Sequence, residues 1–188
     1  PEAVRQATRY TYAMVHQIDL AVGMIVAALK ETGLWEDTVI AFTSDHGDYL
    51  GDHGHLRKGY GAPNSLLHVP LIIRAPGADL PARVDTPVSN CDVLPTLASL
   101  AGVAPPPVQH GADLTAVLRE GREHRACAFA TDGTWQSLNH TIYDDRFRLT
   151  WYPSAGAASW LSPTARMFRP TRVAFSTHHS TAVMKMLK

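Results

Sequence analysis

Asp45 and His46 stand together where the apolar, β-branched run Thr38-Val39-Ile40-Ala41-Phe42-Thr43-Ser44 ends. A second cluster follows at once: Gly51-Asp52-His53-Gly54-His55, then Arg57-Lys58-Gly59. A strand that delivers an acid and an imidazole at its carboxyl end is how open α/β sheets place metal ligands and catalytic groups. A carboxylate suits Ca²⁺, Mg²⁺ or Mn²⁺, and an imidazole tilts the choice toward softer metals without deciding it. Lys58 adds a positive charge able to neutralise the free oxygens of a sulfate or phosphate as charge grows in the transition state. The pattern points to metal-assisted chemistry on an anionic ester.

Each residue also has a plainer reading. Asp45 could merely cap the turn leaving the strand, and a loop lysine is usually solvated. His53 and His55 alternate, so on an extended loop they would point the same way, and either could serve as general acid for a leaving group. Asp52-His53 reads equally well as a hydrogen-bonded pair that shapes the loop. His68 is expected at a sheet edge. Arg74 could approach an anion, but such an arginine more often pairs with a nearby acid.

The elements that would position these groups follow from periodicity and punctuation. Residues Pro1 to Glu31 read as one long helix, with Ile18, Val22, Ile25 and Leu29 on a face that Met14 and Val15 extend, and with Gly33 as its stop. Gly23 inside it suggests close approach of another backbone. Thr38 to Ser44, apolar on both faces, reads as a central strand of a parallel or mixed sheet. Asp45 to Asn64 is a glycine-rich loop long enough to suggest function. Val69 to Ala75 is the next strand, and Val84 to Ser89 a short edge strand. Asp92 is expected to cap a helix reaching Ala101, with Gly102 after it. Ala112 to Arg119 forms a short helix. Ala126 to Ala130, Leu138 to Tyr143 and Phe147 to Trp151 read as an edge meander.

The chain divides on this reading into an α/β core over residues 1–125, edge strands over 126–153 and a poorly patterned tail over 154–188, where disorder is expected to be compatible with the composition. At 188 residues and 45% hydrophobic, there is ample material for a core. Seventeen basic residues balance seventeen acidic ones, so no overall field attracts nucleic acid or an anionic membrane surface. The longest apolar stretch, Leu20 to Leu29, is too short to span a bilayer. Cys91 and Cys127 allow one bridge at most and leave the compartment open.

The blocks Ile18-Asp19 to Gly23, Gly33-Leu34-Trp35-Glu36-Asp37-Thr38-Val39-Ile40, Phe42 to Gly54, Val69-Pro70-Leu71-Ile72-Ile73-Arg74-Ala75-Pro76-Gly77, Asp92-Val93-Leu94-Pro95-Thr96-Leu97 and Leu100-Ala101-Gly102 resemble, in order and spacing, the sulfatases of the alkaline phosphatase superfamily. The resemblance implies part of an α/β/α sandwich with a mostly parallel sheet, plus a small antiparallel C-terminal element. It implies one divalent metal, most commonly Ca²⁺, with Mg²⁺ or Mn²⁺ as alternatives. Asp45 and His46 would then be two of its ligands, Lys58 a catalytic residue that contacts the sulfate, and His53 or His55 a group near the substrate. The implied substrate is a small-molecule or carbohydrate sulfate ester, with phosphonate and phosphate monoesters as the alternative and a non-catalytic fragment as a third reading.

The departures are as informative. Sulfatases of this family carry their nucleophile in a Cys/Ser-x-Pro-x-Arg motif, oxidised to formylglycine, and this chain contains none. The acidic pair that completes the metal site is also missing. Ala62-Pro63-Asn64 stands where an acidic turn is usual, and His68 stands where arginine is usual. The expectation is a C-terminal portion of the family domain, inactive by itself.

Overall fold

A computed structural model describes residues 2–59, 61–80, 83–84, 86–107, 110–120, 125–134, 137–144, 147–152, 158–163 and 173–174. The chain opens with helix α1, Glu2–Glu31. Gly33 takes a left-handed conformation, its N–H donates to the Lys30 carbonyl, and the Leu34 N–H reaches back to Leu29. These paired bonds close the helix end and satisfy its last carbonyls. The same arrangement ends α3, Val93–Leu100, at Gly102, with Gly102 bonded to Ser99 and Val103 to Ala98.

The inward stripe of α1 is Val4, Thr8, Thr11, Val15, Val22, Val26 and Leu29, all half-buried. It keeps Val15, Val22 and Leu29 of the expected face, while Met14, Ile18 and Ile25 are exposed. Gly23 approaches no other backbone, for a Cβ there would meet nothing within 4 Å.

Four strands make the first sheet, in the order β1 (Ile40–Thr43), β2 (Leu71–Arg74), β8 (Val173–Ala174), β3 (Arg83–Val84). The expectation of a mostly parallel sheet is overturned. β1 and β2 run antiparallel, β3 and β8 run antiparallel, and only β2 and β8 are parallel. The reason lies in the link from β1 to β2. A parallel return needs a connection that carries the chain back along the sheet. The helix in this link, α2 (Asn64–Leu67), has 4 residues, about 6 Å at the α-helical rise. That is less than half the length of the strands it would have to traverse. The both-faces-apolar run that suggested a central strand of a parallel or mixed sheet belongs instead to an edge strand of a mixed sheet, paired among the described residues only with β2.

The second sheet is the meander β4 (Ala128–Thr134), β5 (Ser137–Tyr143), β6 (Phe147–Tyr152), β7 (Ala158–Pro163), antiparallel throughout. β7 and β8 fall within the stretch that reads as unpatterned in sequence, and the rest of that stretch is outside the described residues.

β2 alternates strictly, with Leu71 and Ile73 buried and Ile72 and Arg74 half-buried. Leu71 and Ile73 join Val84, Val88, Leu114, Val117 and Leu118 in the core, the last three from α4 (Thr115–Glu120) and the residue before it. Asp92 sits among these elements with no solvent exposure. Its carboxylate accepts from the Ser89 N–H at 2.7 Å, the Ala112 N–H at 2.9 Å and the Arg125 guanidinium at 2.6 Å. Its carbonyl accepts from the Thr96 hydroxyl at 2.6 Å, whose oxygen in turn accepts from the Leu114 N–H at 3.0 Å. Ser89 and Asp92 thus form a reciprocal capping box around the turn Asn90–Asp92. The sequence reading has Asp92 cap the helix that follows; it stands at that position, but its carboxylate makes no cap bond to α3 and instead ties the preceding turn to the entry to α4 and the approach to β4.

Burial pushes the Tyr143 phenol above its ordinary pKa, opposed by the charge of Arg125 and aided by that of Asp92. A group whose folded pKa is raised contributes stability that is complete below its unfolded pKa and is lost as pH rises through the folded value. Tyr143→Phe is therefore expected to flatten the alkaline limb of a stability profile above about pH 10, as read by urea titrations at stepped pH. An unchanged limb would remove Tyr143 from the account.

Candidate functional site

β1 ends at Thr43, and the next three residues are locked by their own hydrogen bonds. The Ser44 hydroxyl donates to the His46 carbonyl at 2.9 Å, and the Asn90 amide donates to the Ser44 carbonyl at 2.8 Å. The His46 N–H donates to Asp45 Oδ1 at 2.8 Å. That bond is the main reason the Asp45 carboxyl is held below its usual pKa, with the neighbouring imidazole adding to the effect. Asp45 is thereby kept as an open, ionised carboxylate, its side chain 85% exposed.

His46 Nδ1 lies 2.8 Å from the Gly47 carbonyl, which can only accept. Nδ1 must therefore carry the proton, and in the neutral ring the lone pair falls on Nε2. Metal-binding imidazoles are commonly oriented by this kind of bond to the other ring nitrogen. Nε2 faces Asp45 Oδ2 at 3.5 Å and the Lys58 ammonium at 3.3 Å. One carboxylate oxygen, one imidazole nitrogen and one ammonium thus converge on a single exposed spot.

Gly47 makes this possible. Its N–H donates to the Leu66 carbonyl at 2.8 Å, and a Cβ at Gly47 would run into the Ser65 carbonyl. The backbone after His46 therefore lies directly against α2. Gly47→Ala is expected to push these segments apart and cost about 1–3 kcal/mol, measured by urea denaturation. A variant as stable as the parent would show that α2 yields freely.

The loop beyond is not extended. Tyr49 is buried, and the chain coils around it through the turn Asp52–Gly54. The Gly51 N–H donates to the His55 carbonyl at 2.6 Å, and Leu50, Gly51 and His53 all have positive φ. Gly51 faces Val4 of α1 so closely that a Cβ there would lie 2.6 Å from a Val4 methyl. His53 and His55 both contact the Tyr49 ring, with centroids at 6.4 Å and 5.0 Å. His53 also pairs with Asp52 at 3.7 Å. Neither imidazole is brought into contact with Asp45 or His46 among the described residues.

Arg74 lies apart from the site. It stacks on Trp35, pairs with Glu36 at 3.0 Å and donates to the Trp35 carbonyl at 2.6 Å. His68 is exposed beyond the end of α2. Cys91 and Cys127 are free thiols, both exposed. The residue that sequence reasoning missed is Asn90, which fastens the end of β1 through Ser44 and accepts from Thr43 at 3.2 Å. No spacing rule signals such a partner 46 residues away.

Asp45 and His46 could offer one oxygen and one nitrogen to a cation. Ca²⁺ takes six to eight oxygen ligands. Among the described residues no three His, Cys, Asp or Glu side chains come together as a complete set. The residues present fit one side of a metal site.

Comparison with known proteins gives the family. The sulfatase family model matches residues 1–103. The chain is 41% identical to arylsulfatase K of Danio rerio over 54% of its own length and 19% of the relative's. It is 38% identical to the multifunctional alkaline phosphatase superfamily protein PehA of Trinickia caryophylli, over 76% of this chain and 26% of that one. Among solved structures, BT4656 in complex with its substrate D-glucosamine-2-N,6-O-disulfate superposes with a TM-score of 0.64 at 24% identity, covering 80% of this chain and 32% of that one. The fold is therefore shared with α/β hydrolytic enzymes of the alkaline phosphatase superfamily. The chain belongs to the sulfatase family.

The chain spans about a fifth to a quarter of the length of these curated relatives. The family match also runs through α1. By length and composition that helix could cross a membrane, contrary to the reading of Leu20 to Leu29 alone. The match favours a helix of the domain.

Proposed function

We propose that Asp45, His46 and Lys58 form one wall of a sulfate-ester hydrolase site, and that the complete protein cleaves a sulfate monoester on a carbohydrate or other small molecule. The observation that carries this reading is the convergence of Asp45 Oδ2, His46 Nε2 and Lys58 Nζ at the end of β1. Asp45 and His46 would hold the divalent cation, for which Ca²⁺ is the best candidate because a carboxylate and further oxygens suit it. Such a cation, when bound, polarises the ester oxygen as a Lewis acid. Lys58 binds the free sulfate oxygens with its ammonium. His55 has no carboxylate partner among the described residues, and we assign it the proton for the leaving group. His53, paired to Asp52, is the alternative donor and shapes the loop.

The wall lacks a nucleophile and the remaining cation ligands, so the chain alone is expected not to turn over an aryl sulfate. Metal-dependent hydrolysis by the purified 188-residue protein would overturn that part of the reading. Binding tests the wall itself. An aryl sulfate should shift the backbone NMR signals of Gly47, Lys58 and Gly59, and the corresponding phenol should not. A sulfate response elsewhere on the molecule would sink the assignment. The likeness to the phosphonate monoester hydrolase SpPMH from Silicibacter pomeroyi, 27% identical with a TM-score of 0.62, supports a second reading, phosphonate or phosphate monoester hydrolysis at the same wall. An aryl phosphonate binding tenfold tighter than the sulfate would favour it.

A further inference from the structure

The loop that carries Lys58 also walls a cavity of about 420 Å³, lined by Tyr49, His55, Leu56, Arg57, Lys58 and Gly59. A cavity of this size takes a small ligand rather than a bare ion. Among the described residues its lining carries two cations, Arg57 and Lys58, and no carboxylate. The tight turn from Tyr49 to His55 makes its floor. There the Tyr49 ring is buried beneath the His55 imidazole at 5.0 Å, and the backbone is closed by the Gly51 to His55 bond. Leu56 adds an apolar side chain left 42% exposed.

The two cations are not equivalent. Lys58 reaches out of the cavity toward His46, with its ammonium 3.3 Å from Nε2. Arg57 makes no hydrogen bond or ion pair among the described residues. An uncommitted guanidinium on a cavity wall is suited to two-pronged recognition of a planar or tetrahedral anion. Consecutive residues on an irregular loop can thus serve two anionic groups of one molecule.

We propose that this cavity is the leaving-group subsite and that Arg57 selects esters carrying a second anionic substituent, such as a sugar bearing two sulfates. This rests on the reading of Lys58 as the residue that holds the scissile sulfate. The apolar and aromatic wall of Leu56, His55 and Tyr49 receives the ring that joins the two anions. Arg57 takes the second of them, so the group recognised is the one that is not cleaved.

The test is binding, since it needs no turnover. The intact chain is titrated by NMR at fixed ionic strength with glucosamine, glucosamine 6-sulfate and glucosamine-2-N,6-O-disulfate. The disulfate is expected to bind at least tenfold tighter than the monosulfate, and the unsulfated sugar not to bind measurably. Arg57→Ala should bring the ratio between the two sulfates close to one, and Arg57→Lys should restore part of it. Lys58→Ala should weaken both sulfates together. Equal affinities in the parent, or an Arg57→Ala loss shared equally by both sulfates, would overturn the subsite. If the disulfate preference persists in Lys58→Ala while the monosulfate is unaffected, the assignment of Lys58 fails and the Arg57 subsite stands by itself. Retained amide dispersion in each variant's spectrum shows that the loop is still folded.

Discussion

Replacing Asp92 with alanine is expected to cost about 3–5 kcal/mol, the range for breaking a buried ion pair by removing one partner. Urea denaturation of the parent and variant measures it. Asp92 is fully buried, and its carboxylate receives two backbone N–H groups and the Arg125 guanidinium. Deleting it strands all three donors at once. Arg125 is itself 23% exposed and can recover water on its outer side, but the Ser89 and Ala112 amides are held in place by the turn and by the entry to α4. Asp92→Asn keeps a carbonyl oxygen as acceptor and should lose clearly less. If Asp92→Asn were as stable as the parent, the charge and the second oxygen would count for nothing; if Asp92→Ala were too, the carboxylate would not be the hub.

The second large effect has opposite signs at neighbouring residues. Asp45→Ala and His46→Ala are each expected to abolish the weak divalent-cation binding that two ligands can support. Lys58→Ala is expected to strengthen it. The Lys58 ammonium lies 3.3 Å from the nitrogen that would ligate the cation, so it both covers that lone pair and repels the incoming charge. For exposed groups about 4 Å apart the repulsion is roughly 1 kcal/mol per unit charge in water. Against a divalent ion this amounts to about 2 kcal/mol, a gain of roughly thirtyfold before screening by salt. Calorimetric Ca²⁺ titrations of the three variants read both signs. A Lys58→Ala variant that lost cation affinity along with the other two would mean that Lys58 organises the wall rather than competing for it. In a complete site this competition would be relieved by a bound sulfate, which draws the ammonium toward its own oxygens.

Local chemistry is what the sequence displayed well. Gly33 and Gly102 are legible as helix ends because only a left-handed residue closes the helix in this way, and both do so. Three of the four meander strands, β4 to β6, were visible as short runs between turn signals while β7 was not, and Asp45 and His46 stand out at the abrupt end of an apolar run. Pairing direction was not visible. An apolar run such as Thr38 to Ser44 fits a central parallel strand and an edge strand alike, and what decides between them is the connection that follows. The helical face of α1 was only half legible, with Val15, Val22 and Leu29 on the stripe and Met14, Ile18 and Ile25 off it, because apolar side chains surround much of that helix. Asn90 and the Arg125 partner of Asp92 were invisible, since both depend on contacts between residues far apart in sequence. The coiling of the loop around Tyr49 was hidden for a related reason. Left-handed Leu50 and His53 are conformations no residue type announces.

β8, from near the chain's end, lies between β2 and β3 in the first sheet, whereas β4 to β7 pair in simple succession. The two sheets therefore mature on different clocks. Nearest-neighbour pairings close short loops and form quickly, while long-range ones wait on loop closure. During synthesis the meander can zip up as it emerges, but β3 has no strand among the described residues to pair with until residue 173 has left the ribosome. Pulse-labelled hydrogen exchange should find β5 and β6 protected well before Arg83 and Val84. A chain cut short of Val173 would keep the meander and leave β2 and β3 each with an open edge.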